Sequence, residues 1–220
     1  MILIKPSYEI LTQINREEIL KSIERAGRTC YKSEDKISEE SASRFVRTIM
    51  KSGHHSVIEH ASLSVRFVCD RGVTHELVRH RLASYSQEST RYCNYSKDKF
   101  DNQITIIKPD WVSYPCGEYH DYVFDERGVD TADFHFINSC ISAEQAYLKC
   151  LELGWKPQQA RGILPNALKT EIVTTANIRE WRWIFTKRCA PDAHPQIREV
   201  MVPLLAELKE KLPEFFEDLF

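Results

Sequence analysis

The chain has 220 residues, of which 42% are hydrophobic and 28% charged, with only seven glycines and nine prolines. This length allows one large domain or two small ones, and the composition excludes a disordered tail, a collagen-like rod and a low-complexity scaffold. Thirty basic side chains nearly cancel thirty-two acidic ones, for a formal net charge of −2. Bulk charge therefore gives no reason to expect a nucleic-acid or membrane partner.

The N-terminal part of the chain contains two predicted helices. Asn15 is a typical N-cap residue, the apolar residues after it share one helical face, and Gly27 is the expected stop. The second helix is predicted over residues 42–50, where apolar side chains follow helical spacing, and we expect it to end at Gly53.

The middle of the chain mixes strand and helix patterns. Apolar and polar residues alternate over 63–69, which predicts a strand, and residues 71–83 have helical spacing. Another short strand is predicted at 103–107, before Pro109. Residues 111–133 are rich in Pro, Gly, Asp and Tyr, so we expect a loop or a local insertion there rather than a domain linker.

Two helices are predicted on either side of a strand in the C-terminal half: a long helix over 137–151, a β-branched strand over 170–176 and a helix over 179–187. An amphipathic helix over 197–212 follows, in which Pro203 can introduce a kink. The chain has no internal repeat and no glycine-rich nucleotide-binding signature. We therefore expect one α+β domain over residues 1–220, with a mostly antiparallel sheet flanked by helices, rather than a doubly wound parallel sheet.

Several common features are absent from the sequence. The start has no signal-peptide pattern, and no stretch approaches the roughly 18 apolar residues of a membrane span. None of the seven cysteines forms a Cys-x-x-Cys pair, which favours reduced thiols over disulfides or a zinc ribbon. We therefore expect a cytoplasmic protein.

Histidine spacing argues against a metal site. His54 and His60 are six positions apart, so on a helix their side chains would diverge by about 240°. His75 and His80 are five apart, whereas a helical zinc pair needs a spacing of four. We expect no metal, although a zinc hydrolase built on His54, His60 and His75 is an alternative that metal analysis can test.

Two segments concentrate basic residues. Residues 79–92 contain three arginines and a histidine, followed by hydroxyl and amide side chains that suit phosphates and planar carbonyl groups. Because consecutive helical residues point about 100° apart, either the helix ends near Arg79, His80 and Arg81, or these three residues face different ligands. A solvated basic helix end is the simpler interpretation of this segment alone.

The second basic segment also contains aromatic residues. It comprises Arg161, Asn177, Arg179, Arg182, Lys187, Arg188 and His194, with Trp181 and Trp183 interleaved. Such residues could stack on a heterocycle and bind its phosphates, or they could equally be core aromatics with surface charges. Neither segment decides between these interpretations by itself.

Taken in order, however, several motifs resemble the flavin-dependent thymidylate synthases. Arg79, His80 and Arg81 are followed after seven residues by Ser89, and then by Arg91 and Tyr92. Further similar segments are 26–31, 53–60, 159–161 with 164–165, Asn177 with Arg179, and Arg188 with 194–196. The resemblance covers most of residues 25–205 but not 111–133.

This resemblance implies reductive methylation of deoxyuridylate (dUMP) to thymidylate (dTMP). Methylenetetrahydrofolate would supply the carbon, FAD would be the redox cofactor, and NADPH would supply the hydride. The resemblance also implies an α+β fold and a homotetramer with active sites shared between subunits. No nucleic-acid partner, membrane association or cysteine nucleophile is expected.

The resemblance also implies roles for individual residues. The catalytic candidate is Arg188, which would stabilise negative charge developing on the uracil. His54 would lie on the folate and flavin side. The implied dUMP-binding residues are Glu76, Arg79, Gln87, Glu88, Ser89, Thr90, Arg91, Arg161 and Arg188. The implied FAD-binding residues are Ser56, Arg79, His80, Arg81, Gln87, Asn177, Arg179, Trp183 and His194.

Two positions depart from the family pattern. Gln87 stands where many members have Glu, which puts any role for a carboxylate there in doubt. Trp183 falls where some members have a small polar residue, and its indole could stack on a ligand instead. A module that binds nucleotides or nucleic acid without catalysis is the other alternative, and it predicts no bound flavin.

Overall fold

A computed structural model describes residues 1–124 and 131–220. The fold is α+β, with an antiparallel sheet flanked by helices, which confirms the prediction from the sequence. The chain divides into two compact units. Unit 1 comprises Met1–Ser7, Val68–Leu77 and Ser86–Ile172, and unit 2 comprises Tyr8–Phe67, Val78–Tyr85 and Val173–Phe220. The assignment of residues 1–220 to one domain remains a prediction.

The described residues form eight α-helices and several short 3-10 turns. The helices are α1 (Arg16–Thr29), α2 (Ser41–Lys51), α3 (Arg71–Leu77), α4 (Ala132–Glu152), α5 (Pro157–Ala160), α6 (Ile178–Arg188), α7 (Pro195–Lys211) and α8 (Pro213–Phe216). The 3-10 turns span Glu34–Lys36, His55–His60, Asp98–Phe100 and Arg161–Ile163. No helix among the described residues is long and apolar enough to cross a membrane.

Seven strands form two sheets within the described residues. They are β1 (Ile2–Ile4), β2 (Ser7–Ile10), β3 (Ser62–Asp70), β4 (Ala83–Gln87), β5 (Thr105–Ile107), β6 (Gly117–Glu118) and β7 (Lys169–Asn177). The larger sheet has the order β2-β3-β7-β4. The backbone N–H of Ile178 bonds to Ala61 O, and the Ser64 and Thr175 hydroxyls meet at 2.8 Å. Residue numbers therefore rise along β3 as they fall along β7, so this pair is antiparallel.

The smaller sheet lies in unit 1 and has the order β5-β1-β6. Its β1–β5 pair is parallel, with Leu3 opposite Ile106, and its β1–β6 pair is antiparallel. Apolar side chains from β1 and β5 are buried with Ile137, Ile141 and Tyr147 of α4. This sheet and helix form the hydrophobic core of unit 1.

The core of unit 2 fixes α6, which carries many of the predicted site residues. Trp181 is fully buried, and its ring stacks on Phe185 with the centroids 5.6 Å apart. The Trp181 Nε1–H also donates a 3.0 Å hydrogen bond to Leu63 O on β3. Burial of an aromatic side chain with a satisfied polar atom anchors the helix strongly, so the orientation of α6 is well defined.

The structure corrects three predictions about element ends. Helix α1 continues past Gly27 to Thr29. Gly27 is buried inside it, where an added Cβ would come within 2.5 Å of the Phe45 ring, so close helix packing explains this glycine. Helix α3 ends at Leu77 rather than at 83, because residues 83–87 form β4 instead.

The third correction concerns the segment 111–133. Strand β6 lies within it, and α4 begins at Ala132 after the N-cap Thr131, whose hydroxyl accepts from the Phe134 N–H. Residues 125–130 lie outside the described part of the chain.

Candidate functional site

The arginine-histidine segment of unit 2 is a turn rather than a helix. Residues 78–82 connect α3 to β4, and within them His80 is only 6% exposed whereas Arg79 and Arg81 are exposed. The Tyr85 hydroxyl donates a 2.8 Å hydrogen bond to the His80 carbonyl, which fixes the turn. The helix therefore ends before the motif, and the histidine and the two arginines have different surroundings.

Arg188 at the end of α6 contacts His80. Its Nε–H donates a 3.0 Å hydrogen bond to His80 Nε2. Burial and the neighbouring Arg188 lower the pKa of His80 to about 4. His80 is therefore a neutral imidazole at physiological pH, and it holds the half-buried guanidinium of Arg188 through a hydrogen bond.

The start of α6 uses another predicted site residue as its cap. The Asn177 side-chain oxygen accepts a 2.8 Å hydrogen bond from the Glu180 N–H. Arg179 is exposed on the first turn and forms a 2.6 Å ion pair with Glu59. Both residues therefore have definite positions at the N-terminus of this helix.

A cavity of about 520 Å³ lies beside this helix N-terminus. It is lined by Glu59, Leu82, Asn177, Arg179, Glu180 and Trp183. The Trp183 and Leu82 side chains are 51% and 76% exposed, so they present apolar surface to a ligand. Its volume lies in the range typical of small-molecule sites, and its lining combines an aromatic face with polar groups. Three of the predicted FAD-binding residues thus share one cavity.

Three further predicted FAD and folate residues of unit 2 are exposed: His54, Ser56 and His194. His194 is the N-cap of α7, and its Nδ1 accepts from the Gln196 N–H at 3.3 Å. His54 immediately precedes the turn His55–His60, which contains Ser56. The preceding Gly53 has a φ of 72°, the left-handed conformation that glycine adopts easily and that ends α2.

Unit 1 contains the segment 87–91, which is predicted from the family resemblance to bind dUMP. Gln87 donates through Nε2 to the hydroxyls of Thr74 and Thr170, at 3.1 and 3.3 Å. Glu88 accepts from the Tyr95 hydroxyl at 3.1 Å and pairs with Lys169 at 3.0 Å. The fold thus uses both side chains to hold the start of the segment, and the amide of Gln87 acts as a donor where a carboxylate could only accept.

The rest of the segment forms a tight turn. The Ser89 hydroxyl oxygen accepts from the Arg91 N–H at 3.3 Å, and its carbonyl accepts from the N–H groups of Tyr92 and Cys93. Thr90 is buried and Arg91 is exposed. A hydroxyl-rich turn that presents an arginine is a suitable phosphate-binding element.

Besides Arg179, four predicted site arginines are exposed: Arg79, Arg81, Arg91 and Arg161. Among the residues that the structure describes, none of the four forms an ion pair with a carboxylate. Arg182, in contrast, is held by Asp218 at 2.6 Å, and Arg179 by Glu59. The exposed four can therefore bind anionic ligands without first breaking an internal pair. Glu76 lies half-buried on α3 in unit 1.

The buried cysteines are poor candidates for a nucleophile. All seven cysteines are free thiols, and burial raises the pKa of Cys140 to about 11 and that of Cys189 to about 12. Burial also raises the pKa of Cys69 strongly, and a protonated thiol is a poor nucleophile. Within residues 1–124 and 131–220, no group of three or more His, Cys, Asp or Glu side chains could hold a metal ion.

Sequence reasoning missed two residues of these sites. Thr74 is fully buried and accepts a hydrogen bond from Gln87. Glu180 is 6% exposed, lines the cavity and lies 3.7 Å from His80 Nδ1. The spacing of Asn177 and Glu180 signals a helix cap, but nothing in the sequence places this carboxyl group beside a histidine.

The cavity with an exposed indole and the exposed arginines are suited to phosphorylated heterocyclic ligands. Comparison with known proteins makes this class specific. Residues 11–214 match the family model described as "Thymidylate synthase complementing protein".

Curated relatives give the same result. A protein named "Flavin-dependent thymidylate synthase" from Geobacter sulfurreducens is 35% identical over 200 residues, covering 88% of this chain and 78% of the relative. A protein of the same name from Mycolicibacterium vanbaalenii is 35% identical, covering 89% and 78%. One from Corynebacterium efficiens is 33% identical with the same coverage. The chain belongs to the thymidylate synthase complementing protein family and is an enzyme, which confirms the resemblance seen in its motifs.

Proposed function

We propose that this enzyme converts dUMP to dTMP by reductive methylation. Methylenetetrahydrofolate donates a one-carbon unit to C5 of the uracil ring, and NADPH supplies, by way of FAD, the hydride that reduces this unit to a methyl group. One proton is taken up, and tetrahydrofolate and NADP⁺ are released. The observation that carries the proposal is the agreement of the family match with the positions of the motif arginines. Arg79, Arg81, Arg91 and Arg161 are exposed without a carboxylate partner in the described chain. Arg179 pairs with Glu59, and Arg188 is held by a neutral imidazole.

In this proposal, dUMP is bound by the residues of the segment 87–91 together with Glu76, Arg79, Arg161 and Arg188. The turn at Ser89 and the exposed guanidinium of Arg91 suit the phosphate, because arginine binds phosphate oxygens through two parallel hydrogen bonds. The internal contacts of Gln87 and Glu88 support a role in fixing this turn.

Arg188 is the proposed catalytic residue. Its guanidinium would stabilise negative charge that develops on the uracil ring when C5 reacts. The hydrogen bond from Arg188 Nε to His80 supports this role, because a donor that is already oriented costs little reorganisation during the reaction.

The chain's residues fit a flavin. The cavity beside α6 offers the Trp183 indole for stacking, the Arg179 cation for a phosphate or ring oxygen, and the amide of Asn177 for a polar ring edge. A bound flavin would carry the electrons from NADPH to the one-carbon unit. We propose that Ser56, Arg79, His80, Arg81, Gln87 and His194 also contribute to FAD binding, and that His54 lies on the folate side.

Oligomeric state and location complete the proposal. We propose a homotetramer whose subunits share active sites, located in the cytoplasm. Several large ligands need more binding surface than one chain of this size easily offers, which supports sharing.

The test is reconstitution of the purified protein with FAD. We expect a yellow holoenzyme that forms dTMP from dUMP only when FAD, methylenetetrahydrofolate and NADPH are all present, as followed by chromatography of the nucleotide product. A colourless protein that takes up no FAD would instead favour a nucleotide-binding module without catalysis. Stoichiometric zinc by metal analysis would favour the zinc hydrolase.

A further inference from the structure

Three polar side chains of unit 2 surround His80 and form a cluster with it. Tyr85 donates to its carbonyl at 2.8 Å, Arg188 donates to its Nε2 at 3.0 Å, and Glu180 Oε1 lies 3.7 Å from its Nδ1. The imidazole and the Glu180 carboxyl group are both buried, with 5% and 7% of the side chains exposed. Polar groups buried to this extent are retained only when they are well partnered.

The donors and acceptors of this cluster fix the tautomer of His80. A guanidinium in a protein always keeps its protons, so Arg188 Nε can only donate and His80 Nε2 must accept. The ring is neutral, so its single proton is on Nδ1, the nitrogen that faces Glu180. The gap of 3.7 Å is longer than a direct hydrogen bond, and the carboxyl oxygen therefore acts on this N–H electrostatically or through a bridging water.

Helix α6 itself holds both ends of this arrangement. Glu180 lies in its first turn, where its backbone N–H is bonded to Asn177, and Arg188 is the last residue of the same helix. Eight helical residues turn through about 80° beyond two full turns, so both side chains lie toward one side of the helix. His80 contacts both from the turn 78–82.

We propose that Glu180 is a positioning residue for Arg188 and acts through His80. The Glu180 oxygen favours the tautomer with the proton on Nδ1, and this leaves Nε2 as the acceptor that orients the guanidinium. Without an acceptor at position 180, the imidazole can carry its proton on Nε2, and Arg188 then loses its hydrogen bond to His80. The importance of this orientation for the reaction rests on the proposed function, in which Arg188 contacts the uracil.

Two substitutions separate positioning from a purely structural role. Glu180→Leu removes the acceptor, whereas Glu180→Gln retains a carbonyl oxygen that can face Nδ1–H. Glu214→Gln is the matched control, because Glu214 is a buried glutamate of the same unit that accepts from Arg16 and Ser43 rather than facing His80. It reports the effect of losing a buried carboxylate elsewhere.

The experiment measures kinetics and the His80 tautomer in the FAD-loaded enzyme. With FAD at saturating concentration, we expect Glu180→Leu to lower kcat about 10- to 100-fold, with the KM for dUMP within about threefold of the wild type. We expect Glu180→Gln to recover most of this loss and Glu214→Gln to leave kcat unchanged. In protein with ¹⁵N-labelled histidine, NMR should show the His80 proton on Nδ1 in the wild type and on Nε2 in Glu180→Leu.

The two readouts keep this proposal distinct from the proposed function. An unchanged tautomer in Glu180→Leu, or equal kcat losses in the Leu and Gln variants, would overturn the positioning role. Absence of dTMP formation by the wild type would overturn the proposed function, while the tautomer measurement would still decide whether Glu180 controls His80.

Discussion

The proposed nucleotide residues of unit 1 and the proposed flavin and catalytic residues of unit 2 are organised differently. In unit 1, Gln87 and Glu88 are tied into the fold, whereas Arg91 and Arg161 are exposed without an ion pair in the described chain. In unit 2, Arg188 is bound by His80, and Asn177 caps the helix that carries it. Unit 1 thus offers open cationic side chains on a rigid turn, whereas unit 2 holds its key guanidinium in place beforehand.

This difference separates binding from catalysis. An exposed arginine can adjust to a phosphate on binding, which contributes affinity. A guanidinium that stabilises a transition state is effective only if it is oriented before the reaction. Loss of Arg91 in unit 1 should therefore change mainly the KM for dUMP, and loss of Arg188 in unit 2 should change mainly kcat.

The largest effect is expected for Arg188→Ala. Loss of one oriented donor should lower kcat about 10²- to 10³-fold, while FAD remains bound. Arg188→Lys should recover little, because lysine has no Nε donor on a planar fork for His80. Steady-state dTMP formation and the flavin spectrum measure both outcomes, with Arg44→Ala on the exposed face of α2 as the control. Near-normal turnover by Arg188→Ala would show that Arg188 is not the catalytic residue, and the proposed difference between the two units would be wrong.

The next effect concerns how acidic pH changes the free energy of unfolding through the buried imidazole of His80. In the unfolded chain His80 takes up a proton near pH 6.5, whereas in the folded apoprotein its pKa is about 4. Between these two pH values the unfolded state therefore binds more protons than the folded state. The contribution of His80 to the free energy of unfolding is fully present above pH 6.5, and about 3 kcal/mol of it is lost as the pH falls towards 4. Denaturant unfolding at several pH values should show a steeper acid loss in the wild type than in His80→Gln.

The control for this measurement is His120→Gln, at an exposed histidine beside Glu118. We expect it to keep the acid dependence of the wild type. An unchanged pH dependence in His80→Gln would mean that folding does not lower the pKa of His80 below its ordinary value, which contradicts a buried imidazole held as an acceptor for Arg188.

A smaller effect is expected in unit 1. Arg91→Ala should raise the KM for dUMP about 10- to 100-fold, which corresponds to one or two charge-assisted hydrogen bonds, and should leave kcat nearly unchanged. Substrate titrations of the variant and of Arg44→Ala give this comparison. A loss of kcat at unchanged KM would show that Arg91 acts in the chemical step instead.

The smallest effect is expected for Trp183→Ala. Loss of one stacking face should weaken FAD binding by about tenfold, as measured by fluorescence titration. Trp155→Ala is the matched control, since Trp155 is also half-exposed but lies in unit 1. Equal FAD affinity in both variants would place the flavin away from the cavity beside α6.

The sequence predicted best those elements that local patterns determine. The alternation over 63–69 and the β-branched run over 170–176 correspond to β3 and β7, and Asn15 caps α1 as expected. Strand β4 was missed because its residues are mostly polar. It is the last strand of its sheet, where pairing on one side is enough and an apolar face is not required.

Site residues could be predicted from the sequence only where they belong to a family motif. The family motifs identified Arg188 and His80, but not their contact, because the two residues are 108 positions apart. Glu180 had no motif of its own, and its side chain meets His80 only because Trp181 anchors α6 against β3. Contacts that depend on the packing of distant elements cannot be read from local periodicity.

A single-turnover reaction without oxygen tests the central claim most directly. The holoenzyme is reduced with NADPH, freed of excess NADPH, and mixed with dUMP and methylenetetrahydrofolate. We expect about one equivalent of dTMP per bound flavin, formed as the flavin absorbance returns. Formation of dTMP by the flavin-free protein, or flavin reoxidation without dTMP, would contradict the proposed reaction.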